Sequence, residues 1–114
     1  MSLNQPAHLI DAVALSRAVS DRYHNRSLTI VNDHEVRMSV MTEPFAWHRH
    51  PDSDETFMVV EGRLIIEIDD REIALQPGQM ITVPRGVRHR TRPDGARSVN
   101  LTFERADAET VFDE

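Results

Sequence analysis

The run Trp47-His48-Arg49-His50-Pro51-Asp52-Ser53-Asp54-Glu55 decides how the rest of this 114-residue chain is organised. In a strand, side chains alternate between faces, so His48 and His50 point the same way. Pro51 has no N–H to give a sheet ladder, and Pro51-Asp52-Ser53-Asp54 carries the residue types that reverse a chain. Glu55 then opens the next strand beside the two imidazoles. A further candidate, His89, follows the turn Pro84-Arg85-Gly86-Val87. Two or three imidazoles and one carboxylate converging on a point form a donor set for a divalent first-row metal.

Outward from that run, strand-like text fills most of the chain. Residues 28–31 and 35–41 are rich in β-formers and are joined by Asn32-Asp33-His34, a turn signal. Predicted strands follow at 45–50 and 56–60, the second broken by Gly62. Residues 63–68 and 72–75 predict a hairpin around Asp69-Asp70-Arg71, with Leu64, Ile66 and Ile68 at period two. Strands at 80–83, 89–92 and 97–103 complete the set, the last with Val99, Leu101 and Phe103 on one face. Many short strands punctuated by Gly and Pro predict an all-β sandwich or barrel. Residues 6–19 predict a short amphipathic helix with Pro6 in its first turn and Asn4 or Gln5 as cap. Leu9, Ile10, Val13 and Ala14 form its apolar face, which is expected to pack on the outside of the barrel. The expected organisation is a helical extension over 1–27, the β-barrel domain over 28–104 and an acidic, poorly ordered tail over 105–114.

The segment His48-x-His50-x4-Glu55-x6-Gly62 resembles the first motif of the cupin family, and Gly78-x5-Pro84-x-Gly86-x2-His89 resembles the second. Fifteen residues separate Gly62 from Gly78, like the short spacer of small microbial cupins. Thr42 stands where the first motif usually begins with Gly, and Pro93 where the second usually ends with Asn. Neither position is a ligand. The resemblance spans residues 31–103 and implies an antiparallel jelly-roll β-barrel. It also implies a metal held by three His and one Glu, here His48, His50, Glu55 and His89. It leaves the activity open, because this fold carries many unrelated functions.

Length and composition narrow the classes. The chain fits one domain with a modest core. It has no Cys, so disulfides, thiolate catalysis and thiolate metal sites are excluded. All 13 basic residues are Arg, which removes lysine Schiff-base chemistry. A net charge of −6 disfavours nucleic acid as a partner. No apolar run reaches the length of a membrane span, and no segment reads as a secretion signal, so a cytoplasmic location is expected.

A four-ligand set on a six-coordinate ion leaves two positions for water, substrate or dioxygen. One divalent transition ion is expected, and Mn, Fe, Ni, Co, Cu and Zn all accept this set. Positions sharing the inward parity of the ligands predict the pocket wall: Ala46, Phe57, Val59, Val87 and Thr91, a mainly apolar lining. Trp47 falls on the opposite face. No second acid–base residue is evident beyond Glu55. Arg85, Arg88, Arg90, Arg92 and Arg97 read either as a rim steering a carboxylate or phosphate, or as solvated strand faces paired with acids. The second reading is favoured. His8, His24 and His34 read as ordinary surface or hydrogen-bonded histidines. The functional expectation is a metal-dependent enzyme of dioxygenase, isomerase or lyase type acting on a small polar organic molecule. The alternatives are a non-catalytic ligand-binding or sensing module and a structural or storage protein. Edge strands and apolar outer residues such as Met58 and Val60 predict a homodimer.

Overall fold

The computed structural model describes residues 7–113. One helix, α1 (Ala12–Arg17), precedes eight strands: β1 (Tyr23–Val31), β2 (His34–Met41), β3 (His48–Arg49), β4 (Glu55–Ile68), β5 (Arg71–Leu75), β6 (Met80–Val83), β7 (His89–Arg105) and β8 (Val111–Phe112). All pairings are antiparallel. β7 sits between β2, with Val40 opposite Val99, and β4, with Phe57 opposite Thr102 and Ile68 opposite His89. β4 in turn carries β5 and β6, β1 pairs with β2, and β3 lies between β7 and β8. The sheet curls into the all-β jelly-roll barrel that the sequence predicts. Among the described residues no helix is long and apolar enough to cross a membrane.

Two strands are longer than their sequence suggests. The text read as separate strands at 56–60 and 63–68 is one bent strand, β4, and 89–92 with 97–103 is one strand, β7. Gly62 does not end β4. It adopts φ +73° where the β4–β7 register shifts, so the bulge bends the strand and lets it continue on a new partner. β1 begins at Tyr23, five residues ahead of its predicted start, because pairing with β2 holds the polar run Asn25-Arg26-Ser27 extended. The predicted strand at 45–50 shrinks to His48–Arg49, although Phe45 N still donates to Thr91 O at 2.9 Å.

The helix is also shorter than predicted. Asp11 caps it, its Oδ1 accepting from Ala14 N at 3.0 Å, and residues 7–10 are not helical. Pro6, Asn4 and Gln5 lie outside the described residues. The buried face is shifted: Leu9 is 95% exposed, while Ala12, Leu15 and Val19 pack on Met38, Val40 and Val99. Ser16 is fully buried, and its carbonyl accepts from Arg97 Nη2 at 2.5 Å. The helix therefore covers the outer face of β2 and β7, and Val60 packs beneath it. A second, interior core joins Met41, Phe57, Val59, Leu64, Ile66, Leu75 and Val83.

A Cβ on Gly62 would run into the backbone carbonyl of Arg97, whereas one on Gly78, also at positive φ, meets open space. Gly62→Ala is expected to lower stability by about 3 kcal/mol or more, through strain added to a collision with backbone. Gly78→Ala is expected to cost only ~1 kcal/mol, the left-handed penalty alone. Urea denaturation of both variants reads the difference, and equal losses would mean that contact with Arg97 adds nothing.

Candidate metal centre

Each of the four motif residues is placed by a different local device. His48 on β3 stands directly opposite His89 on β7, with ring centroids 4.4 Å apart. His50 sits at the mouth of the Pro51 turn, where its carbonyl accepts from Gly86 N at 2.8 Å and ties the Pro84–Val87 turn to the first motif. Glu55 opens β4 opposite Val83 of β6. Asp54 Oδ1 accepts from Arg85 N at 2.8 Å and Asp52 Oδ1 from Glu109 N at 3.0 Å, so both turn acids brace loops. His48, His50, Glu55 and His89 are between 1% and 6% exposed. One ligand atom from each lies within 4.8 Å of all the others.

The imidazoles are all anchored in one sense. Nδ1 of His48 lies 2.8 Å from Ala46 O, Nδ1 of His50 2.9 Å from Glu109 O, and Nδ1 of His89 2.9 Å from Val87 O. A carbonyl oxygen only accepts, so each Nδ1 carries a proton and each ring turns its Nε2 inward. Nε2 of His50 and of His89 each lie 3.1 Å from the same Glu55 Oε1. At that distance an Nε2 lone pair and a carboxylate repel unless a proton or a metal ion lies between them. Donor pairs about 3 Å apart are also what ligand bonds of ~2.0–2.2 Å subtend near a right angle. The donor set thus fits a metal ion, and His50 Nε2, buried with no partner at hydrogen-bonding geometry, fits it too.

Proton affinities follow the same crowding. Burial, which disfavours an imidazolium, holds His48 below the ordinary histidine range. At His50 the opposing effect of burial is overcome by the Glu55 carboxylate, and the ring is pushed up to about 9. Burial also works against Glu55 ionising, yet the neighbouring rings of His50 and His89 pull it well below the usual carboxylate range. A site that holds a proton between an imidazole and a carboxylate is one where a metal ion can take the proton's place.

Above the four donors lies a cavity of about 260 Å³. Phe57 and Thr91 line it, as the parity of the ligands predicts. Ala46, Val59 and Val87 do not: Ala46 is exposed and contributes its carbonyl to His48, while Val59 and Val87 belong to the interior core. The wall is also less apolar than expected. Arg37, Ser39, Asn100, Thr102 and Glu104 face it from β2 and β7, opposite Phe45, Phe57 and Phe112. Alternation along β7 explains the difference. Val99 and Leu101, the apolar members, face the helix outside, which leaves Asn100, Thr102 and Glu104 inside.

Residues 34–103 match the family model for the cupin domain. The chain belongs to the cupin family. This cupin is 45% identical over 101 residues to YdbB of Bacillus subtilis, covering 88% of each chain. It is 36% identical over 61 residues to the polyketide synthase CurC of Streptomyces cyaneus, covering 54% of this chain and 40% of that relative. Among solved structures, a cupin-2 domain protein of Shewanella frigidimarina superposes with a TM-score of 0.79 at 29% identity, covering 85% of this chain and 94% of that one. A Klebsiella pneumoniae protein with a double-stranded β-helix domain superposes with a TM-score of 0.80 at 16% identity, over 96% and 99% of the two chains, and shows the fold alone.

Two parts of the cupin site escaped the sequence. Glu104, carried inward by β7, has a buried Oε2 without a hydrogen-bond partner, 3.6 Å from His50 Nε2. Burial, reinforced by the charge of Glu55, pushes its carboxyl up to about 7. A second carboxylate is therefore present beside the four donors, contrary to the reading that Glu55 stands alone. Its signal was the polar alternation Asn100-x-Thr102-x-Glu104. The second part is the tail. In place of a disordered segment, β8 pairs with β3, Phe112 lies against Phe45 and His48, and Glu109 holds His50. None of the five arginines of the second motif lines the cavity. Arg88 stacks on Trp47 and pairs with Asp113, while Arg90 and Arg92 pair with Glu67, and Arg92 also with Glu72. Arg97 pairs with Glu61, and Arg85 offers its backbone N–H to Asp54.

Removing residues 108–114 takes away the carbonyl that orients His50. The truncated chain is expected to bind a divalent ion about 10- to 100-fold more weakly in competition with a chromophoric chelator, with its circular dichroism little changed. Unaltered affinity would show that the turn alone orients the ring.

Proposed function

We propose that this cupin binds one divalent transition ion at His48, His50, Glu55 and His89 and is a metal-dependent enzyme acting on a small polar organic molecule. The observation that carries the metal reading is the uniform anchoring of the three Nδ1–H groups, which turns each Nε2 into one buried cluster completed by Glu55. A bound ion would supply Lewis-acid polarisation, or one-electron chemistry if it is redox-active, which accommodates dioxygenase, isomerase or lyase reactions. The chain's own residues do the rest. Phe45, Phe57 and Phe112 keep one side of the cavity dry, and Ser39, Asn100 and Thr102 offer hydrogen bonds on the other. Glu104 Oε2, which has no hydrogen-bond partner and borders the same space, is placed to accept a proton from a bound molecule. That second carboxylate favours an enzyme over a module that only senses its ligand.

Metal analysis of protein purified without a metal-scavenging tag tests the first part. The wild type is expected to retain about one ion per chain and to gain roughly 2.7 kcal/mol of stability at a free ion concentration 100-fold above Kd, on the order of 10 °C in Tm. His48→Ala and Glu55→Gln are expected to lose both the ion and the gain. A wild type that never takes up a transition ion sinks the proposal.

We further infer a homodimer in the cytoplasm, formed through the open edge of β1. Met58 and Val60 no longer support this, since both are partly buried, Val60 beneath α1. Ile30 and Val31 on β1 remain 61% and 56% exposed, on the strand that ends the sheet. Light scattering is expected to give twice the chain mass for the wild type, and the monomer mass for Ile30→Lys with Val31→Glu.

A further inference from the structure

We propose that the cavity takes a small carboxylate whose acid group is gripped by Arg37 while an oxygen at its other end meets the metal position. This rests on the metal reading and adds the class of ligand to it. Among the described residues lining the cavity, Arg37 is the single arginine; none of the second-motif arginines reaches it. Its side chain is 31% exposed, so it reaches the cavity from the rim while its stem is covered.

Arg37 is also braced. Its Nε donates to Asn25 Oδ1 at 2.5 Å, and Asn25 Nδ2 donates in turn to Ser39 Oγ at 2.7 Å. Nη1 donates to Glu35 Oε1 at 3.2 Å from the side. These bonds use two of the five guanidinium N–H donors and leave three for a ligand. β1 and β2 hold the brace in register, with Asn25 opposite Ser39 and Ser27 opposite Arg37. An arginine that only neutralised Glu35 would need no amide fixing its plane from the cavity wall. A fixed guanidinium plane is what two-pronged recognition of a planar carboxylate requires.

The two ends of the cavity therefore call for different groups. At the floor, His48, His50 and Glu55 border the cavity, and a metal held by them with His89 would accept an oxygen ligand there. At the rim, Arg37 calls for an anion. Ser39, Asn100 and Thr102 between them suit hydroxyl or oxo groups along the ligand. At 260 Å³ the space equals about nine water volumes, which sets a limit on size.

The test uses the cobalt(II)-loaded full chain, with visible absorption reporting ligands that reach the metal. Acetate offers one carboxylate; malonate, succinate and glutarate offer a second at increasing reach. At least one dicarboxylate is expected to bind more than about tenfold tighter than acetate, a gain of roughly 1.4 kcal/mol. Arg37→Gln is expected to erase that preference and leave acetate affinity and cobalt content unchanged. Arg37→Lys keeps the charge without the fork and should retain part of the preference; Asn25→Ala, which removes the brace, should reduce it. If no dicarboxylate outbinds acetate, or the preference survives in Arg37→Gln, the inference is overturned while the metal site stands. If cobalt is not taken up at all, both fall together.

Discussion

Three imidazole N–H groups donating to three backbone carbonyls set the chemistry of this molecule's interior. Each bond is ordinary in strength, about 1 kcal/mol net. Together they fix Nδ1 as a donor on every ring and turn three Nε2 atoms toward one carboxylate, an arrangement that needs a proton or a metal ion between the groups. The acceptors come from three separate places: the residue two before His48, the residue two before His89, and a tail almost sixty positions beyond His50. The first two are built into local turns. The third exists only when the whole barrel has closed, so the last donor is oriented by tertiary structure and not by its neighbours in sequence.

The same alternation that buries the core divides the barrel's interior in two. One end is filled with Leu64, Ile66, Leu75 and Val83 and is closed to ligands. The other is lined by Arg37, Ser39, Asn100, Thr102 and Glu104 and stays open. A polar lining of this kind is costly inside a small domain, because each unpaired group forfeits its hydration. The cost is offset outside the barrel, where α1 covers Met38, Val40 and Val99 and creates a second apolar layer on the far side of β2 and β7. The helix thus frees the inner face of those strands for polar side chains.

Much of this was legible beforehand. Two histidines at spacing two, a proline turn, a glutamate and a distant histidine after Pro84-x-Gly86 pointed to the four donors, and all four meet. Their signal was strong because side-chain parity and turn chemistry are local. What the sequence left open was the direction of faces. Val99, Leu101 and Phe103 share one side of the last long strand, but apolar residues sharing a side do not say which core they meet. In a barrel with a helix on its back there are two apolar faces, and parity alone does not say which is inside. That single ambiguity hid Glu104 and the polar wall. Arg37 was overlooked because five arginines elsewhere drew attention by their density, and four of those pair with acids through their guanidinium groups. Composition also misjudged the tail: an acidic run looks solvated, but Phe112 and the backbone of Glu109 have partners waiting on β3 and His50.

The placement of β8 bears on how the protein is handled in the laboratory. A purification handle fused after Glu114 follows the short strand β8, and Glu109 a few residues before it steers an imidazole. Any drag on that fusion reaches the ring within a few residues. A handle ahead of α1 pulls on a helix lying on the barrel's outer surface, from which the four donors are screened by a layer of sheet.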